Sequence, residues 1–131
     1  MTQQVILCVD DEKIILDSLK IQLKDHFGER FNYEVAENAD DAMELIEELM
    51  DEGLHVIVIV SDWLMPGVKG DEFLINVHTR FPNIVKIMLT GQADEKAVSR
   101  AREHANLHRC LNKPWSETEL VETINSGIEL L

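Results

Sequence analysis

Four short stretches of this 131-residue chain carry side chains that could do chemistry together: Asp10-Asp11, Ser61-Asp62, Thr90-Gly91 and Lys113-Pro114. Gathered in one place, they would supply three carboxylates, a hydroxyl and an ammonium. Three clustered Asp side chains repel one another, so without compensation at least one pKa must rise. A hard divalent cation is the natural compensation, because oxygen ligands at an exposed edge suit Mg²⁺, which keeps several of its waters. Lys113 adds a point charge suited to phosphate, and Thr90 adds a donor that can follow a phosphate oxygen. One carboxylate can itself be the nucleophile and form an aspartyl-phosphate. The set therefore suits phosphoryl transfer, where catalysis is mostly positioning and charge neutralisation. Taken singly, the pieces have plainer readings as turns, helix caps, a strand exit and surface charge. Only a fold that brings all four together makes them a site.

The rest of the sequence describes such a fold. Short β-branched runs begin near Gln4, Asn32, Leu54, Ile84 and Leu107, and stretches with helical spacing lie between them. Residues 39–51 align Ala42, Leu45, Ile46, Leu49 and Met50 on one stripe. Residues 70–81 align Phe73, Leu74, Val77 and Phe81, and residues 117–131 align Leu120, Ile124, Ile128 and Leu131. The first helix uses Ile15, Leu19 and Leu23, with Asp11 as its expected cap. Gly53 can close the second helix, and Ser116 with Glu119 reads as a capping box opening the last. Strand and helix thus alternate five times, which predicts a parallel sheet covered by helices on both faces. The run VIVIV at 56–60 is expected of a central strand buried on both sides. In this class ligands bind beyond the carboxyl ends of the strands, near a switch in strand order. The four stretches follow the first, third, fourth and fifth strands, which is that edge. Glu37 and Asn38, after the second strand, are left without a role.

Composition narrows the function. Apolar residues are 45% and charged residues 28%, a profile that supports one domain over residues 1–131. A net charge of −13 argues against binding nucleic acid or anionic membrane through a broad basic face. Apolar runs such as Val56–Val60 are far too short to span a bilayer. The opening MTQQVILCVDDE lacks the basic start of a signal peptide. Cys8 and Cys110 have no CxxC or Cys/His spacing and read as core thiols in a reducing cytoplasm.

The segments VDDE (9–12), SDWLMPG (61–67), MLTG (88–91) and LNKPW (111–115) resemble the receiver domain of two-component response regulators, and the resemblance runs from Val5 to about Leu131. It implies a CheY-like, flavodoxin-like (βα)5 three-layer sandwich whose five-stranded parallel sheet has the order 2-1-3-4-5. It implies that Asp62 is the phosphoacceptor and that Mg²⁺ is held by Asp10, Asp11, Asp62 and the backbone carbonyl of Leu64, with Asp11 direct and Asp10 partly through water. Lys113 would bridge to the phosphoryl oxygens, aimed by a cis Lys113–Pro114 peptide, and Thr90 would be the switch hydroxyl. The implied partners are a sensor histidine kinase or histidine phosphotransfer protein, with a C-terminal output domain or a homodimer as further possibilities. Homodimerisation would use the face of the fourth helix, fifth strand and fifth helix, which phosphorylation would switch. Such a domain signals rather than turns over a substrate, although it assists its own phosphotransfer and dephosphorylation.

The sequence also departs from that pattern. Receivers usually carry an aromatic residue three positions before the lysine, where this chain has Cys110. Phosphorylation is expected to move Thr90 while the readout at that face is altered. His108, two residues before Cys110, is expected on the same side of the strand. Leu64 and Gln92 occupy the positions that tune dephosphorylation, and apolar Leu64 predicts a long-lived phosphoryl group. Trp63 is expected to shield the site or meet a partner rather than pack in the core. The helix at 94–104 has a thin stripe, Ala97, Val98 and Ala101, suited to a mobile element. A haloacid-dehalogenase-type phosphohydrolase would need an acid at position 64, which is Leu. A docking module that is never phosphorylated would not require Asp10, Asp11, Asp62, Thr90 and Lys113, all of which are present.

Overall fold

The structure is a computed structural model that describes residues 3–91 and 95–131. In chain order the elements are β1 (Gln4–Val9), α1 (Lys13–Phe27), β2 (Asn32–Ala36), α2 (Ala39–Asp51), β3 (His55–Asp62), α3 (Gly70–Arg80), β4 (Val85–Thr90), α4 (Glu95–His104), β5 (Arg109–Asn112) and α5 (Glu117–Ile128). A short 3-10 turn, Gly28–Arg30, joins α1 to β2. The strands form one parallel sheet in the order β2-β1-β3-β4-β5, which is the flavodoxin-like order. β3 is central, and every residue from Val56 to Asp62 is buried, as its apolar run requires.

Alternation along the strands divides the core in two. One half packs beneath α2, α3 and α4 around Ile46, Ile59, Leu74 and Met88. The other packs beneath α1 and α5 around Leu19, Leu23, Val58, Leu120 and Ile124. Side chains on a strand point alternately to opposite faces, so β3 sends Val58 to one half and Ile59 to the other.

Local chemistry sets both ends of α2 and the start of α5. Asn38 caps α2 by accepting from Asp41 N at 2.8 Å. Gly53 closes it at φ 84, with Gly53 N bonding Met50 O at 3.0 Å and Leu54 N bonding Leu49 O at 2.9 Å. That pair of bonds is the Schellman arrangement, which needs a left-handed residue where glycine sits. At α5 the Ser116 hydroxyl accepts from Glu119 N at 3.0 Å and the Glu119 carboxylate accepts from Ser116 N at 3.4 Å, completing the capping box.

Four local expectations are corrected. Asp11 does not cap α1, because Asp10 makes the turn by accepting Glu12 N at 2.9 Å, and the helix starts one residue later, after Glu12. α5 ends at Ile128, leaving Leu131 exposed and off the stripe. β5 starts at Arg109 rather than Leu107, because Asn106 (φ 53) turns the chain and Leu107 N bonds back to Ala101 O. His108 therefore precedes the regular alternation. Its Nε2 lies 2.7 Å from Ser126 Oγ on α5, whereas Cys110 packs on the opposite half-core.

β4 also buries a lysine. Lys86 is 1% exposed. Its ammonium donates to Ile84 O at 2.7 Å and lies 3.0 Å from His78 Nδ1 on α3. An ammonium only donates, so Nδ1 accepts and the imidazole proton sits on Nε2. Burial lowers Lys86 to a pKa of about 8. His78 is lowered as well, by burial and then by the charge of Lys86. Among the described residues, no helix is long and apolar enough to cross a membrane.

Candidate functional site

The carboxyl ends of the strands place the side chains singled out in the sequence. Asp10 follows β1, and its amide extends the pairing with β2 by donating to Ala36 O at 3.2 Å. Asp62 ends β3 in register with Leu89, and the next amide, Trp63 N, donates to Leu89 O at 2.8 Å. Lys113 follows β5, with its amide on Thr90 O at 2.8 Å. Thr90 ends β4 and is buried. These main-chain bonds fix the backbone from which the Asp10, Asp62 and Lys113 side chains project at the end of the sheet.

Asp10, Asp11 and Asp62 each offer a carboxylate oxygen, all within 4.8 Å of one another. Asp10 is fully buried, Asp62 is buried and Asp11 is exposed. Lys113 Nζ reaches two of them, Asp10 Oδ2 at 2.8 Å and Asp62 Oδ1 at 3.0 Å. The Lys113–Pro114 peptide is cis. Burial raises the Asp62 carboxyl above its ordinary pKa; the Lys113 hydrogen bond and charge pull it down, while Asp10 and Asp11 push it up. The rise is thus mainly a burial effect, to which the crowding by Asp10 and Asp11 adds. Burial alone would lower the Lys113 ammonium, but its bonds and charges with Asp10 and Asp62 leave it raised. An open cleft of about 510 Å³ borders the cluster, lined by Asp11, Glu12, Asp62, Leu64, Gly91 and Lys113 among others. A larger hollow of about 710 Å³ is lined by Pro82, Leu107, His108 and Leu131 among others; no carboxylate side chain lines it, so the chemistry belongs to the smaller cleft.

The site's surroundings hold features the sequence reading missed. Gly70, the first residue of α3, lies against the backbone of Asp62 and Trp63: a Cβ there would stand 2.8 Å from Trp63 Cα and collide with Asp62 O. Only glycine permits that approach. Trp63 is half-buried against the α2–α4 half-core, with Lys69 Nζ 5.8 Å from its ring centroid, so it does pack in part on the core. Cys110 is half-buried and burial pushes its thiol up, whereas Cys8 is buried and pushed up to about 12. Gln92 lies outside the described residues. A lysine inside the apolar stretch Ile84–Leu89 was the one sequence sign of the buried Lys86.

The fold and the edge cluster define a class, the CheY-like receivers with a flavodoxin-like sheet. The chain belongs to the response regulator receiver domain family, whose model matches residues 6–125. It is 32% identical over 127 residues to the hydrogenase transcriptional regulatory protein HoxA of Cupriavidus necator, covering 97% of this chain and 24% of HoxA. The chain thus spans about a quarter of the length of that relative. Among solved structures it resembles the signal receiver domain of an HD domain-containing protein from Pseudomonas fluorescens Pf-5, with TM-score 0.86 and 27% identity over 97% of this chain and 95% of that one. It also resembles a CheY-like receiver domain protein from Methanospirillum hungatei JF-1, with TM-score 0.83 and 29% identity over 98% and 95% of the two chains.

Proposed function

We propose that this receiver domain, occupying residues 1–131, accepts a phosphoryl group on Asp62 from a phosphohistidine and changes conformation in response. The observation that carries this reading is the meeting of Asp10, Asp11 and Asp62 with Lys113, whose ammonium bridges two of the carboxylates. An Asp62 carboxylate oxygen attacks phosphorus in line, the P–N bond breaks, and its electron pair stays on the departing imidazole. The Lys113 ammonium follows the incoming phosphoryl oxygens, and the Thr90 hydroxyl turns toward them. Water later hydrolyses the acyl phosphate and restores the carboxylate.

The donor set fits Mg²⁺, being hard oxygens on a solvent-open cleft. Asp11 and Asp62 would hold the ion directly, with the Leu64 carbonyl. Asp10, whose two oxygens already accept from Glu12 N and Lys113, would act partly through water. When bound, the ion supplies charge neutralisation for the crowded carboxylates and the transferring group.

A sensor kinase or histidine phosphotransfer protein supplies the phosphoryl group in the cytoplasm. The response is read on the α4-β5-α5 face, by an output domain or a second copy, with Thr90 and Cys110 as the switch positions. Mass spectrometry after acetyl phosphate and Mg²⁺ tests the core of this reading. The intact chain is expected to gain one phosphoryl group and Asp62→Asn none. Equal labelling of both would refute the assignment.

A further inference from the structure

α4 packs closely against α3 but buries little apolar surface of its own. Of its ten residues only Ala97 and Ala101 are buried. Small side chains such as Ala97 and Ala101 bury little area each, so a polar tie can add to the hold of α3 on this helix. Arg100 provides one. Its Nη1 donates to Asp71 Oδ2 at 3.1 Å and its Nη2 to Glu72 Oε2 at 2.6 Å. Both acceptors belong to the first turn of α3. Asp71 is buried, so solvent and salt screen its end of the pair less than they do an ordinary surface pair, while Arg100 and Glu72 are about half exposed.

The same turn of α3 begins at Gly70. Gly70 N donates to Trp63 O at 2.8 Å, and its Cα lies directly on the peptide of Asp62. No side chain separates the two backbones, so a backbone shift at Asp62 would press directly on the start of α3. Asp71 and Glu72 move with it, and Arg100 moves with them. The path runs through three consecutive residues of one helix turn and a single guanidinium.

We propose that Arg100 couples the phosphoacceptor to α4 through the first turn of α3, by a route that passes through neither Thr90 nor β5. This inference rests on the assignment of Asp62 as phosphoacceptor. Arg100 is a positioning residue in this scheme and touches no reacting group. Its planar fork spans two carboxylates from adjacent residues, a geometry that an ammonium does not reproduce.

The test is a two-dimensional amide spectrum of the full chain with and without saturating beryllofluoride and Mg²⁺. In the wild type, amides of residues 63–70 and of α4 are both expected to shift. In Arg100→Gln the shifts at 63–70 should persist, while those of α4 fall to roughly a third or less of their wild-type size, as expected when a coupling is cut. The Asp71→Asn/Glu72→Gln pair should reproduce that loss, and adding Arg100→Gln to it should cause no further loss. An α4 response in Arg100→Gln equal to the wild type overturns the proposal, as does a further loss in the triple variant. A wild type that shows no shift at 63–70 overturns instead the phosphoacceptor reading on which the proposal stands.

Discussion

Replacing Lys86 by Met should stabilise the domain at neutral pH. The ammonium is 1% exposed, and its hydrogen-bond acceptors are Ile84 O and His78 Nδ1; none of the ion pairs among the described residues includes it. Its pKa falls from 10.5 to about 8 on folding. A depressed ammonium binds fewer protons folded than unfolded, so stability rises with pH between those two values. The penalty is complete below the folded value and gone above the unfolded one. A drop of about 2.5 units corresponds to roughly 3 kcal/mol near pH 7. Met keeps most of the volume but leaves Ile84 O without its donor, which costs about 1–2 kcal/mol. The net expectation is a gain of about 1–2 kcal/mol, or roughly 4–8 °C in Tm for a domain of this size. Urea denaturation of both chains at about pH 7 and about pH 9.5 measures it. The advantage of the variant should shrink by about 2 kcal/mol over that interval as the wild-type lysine sheds its proton. His78 should also titrate at higher pH in the variant, having lost the neighbouring charge. A variant that is less stable by the same amount at both pH values would refute the reasoning.

Other expectations follow from the edge cluster and its supports. Asp62 has a raised pKa, so its ionised form burdens the fold as pH climbs past that value; Asp62→Asn should raise Tm near neutral pH in buffer free of divalent ions, measured by calorimetry. In the same buffer, Lys113→Met should push the Asp62 carboxyl still higher, because it removes the hydrogen bond and charge that hold it down, and a carboxyl-carbon NMR titration would show it. Ser116→Ala removes the acceptor for Glu119 N and should cost about 1 kcal/mol in urea denaturation. With apolar Leu64 exposed beside the cleft, the phosphorylated chain should persist well beyond seconds without a phosphatase, followed by the decay of acid-labile phosphate.

The layers and the edge cluster were legible because each is written locally, whereas the strand order came only through the resemblance to receiver domains. Alternating runs name the strands, and in a parallel sheet every strand delivers its carboxyl end to one edge. Asp10, Asp62 and Lys113 could thus be placed together although Lys113 lies 103 positions from Asp10. Contacts between elements were not legible. Nothing local pairs Arg100 with Asp71, 29 positions away, or Lys86 with His78. Single-residue boundaries also escaped. The turn at Asp10 took the role expected of Asp11, and the bend at Asn106 carried His108 away from the side of Cys110.

The sheet acts as a bulkhead between two compartments. Side chains beneath α3 and α4 belong to one, and those beneath α1 and α5 to the other. Damage on one side does not flood the other, so the effects of distant substitutions across it should sum. Sequence change can then remodel the compartment under α4 while the seating of α1, the helix that follows Asp10 and Asp11, stays untouched.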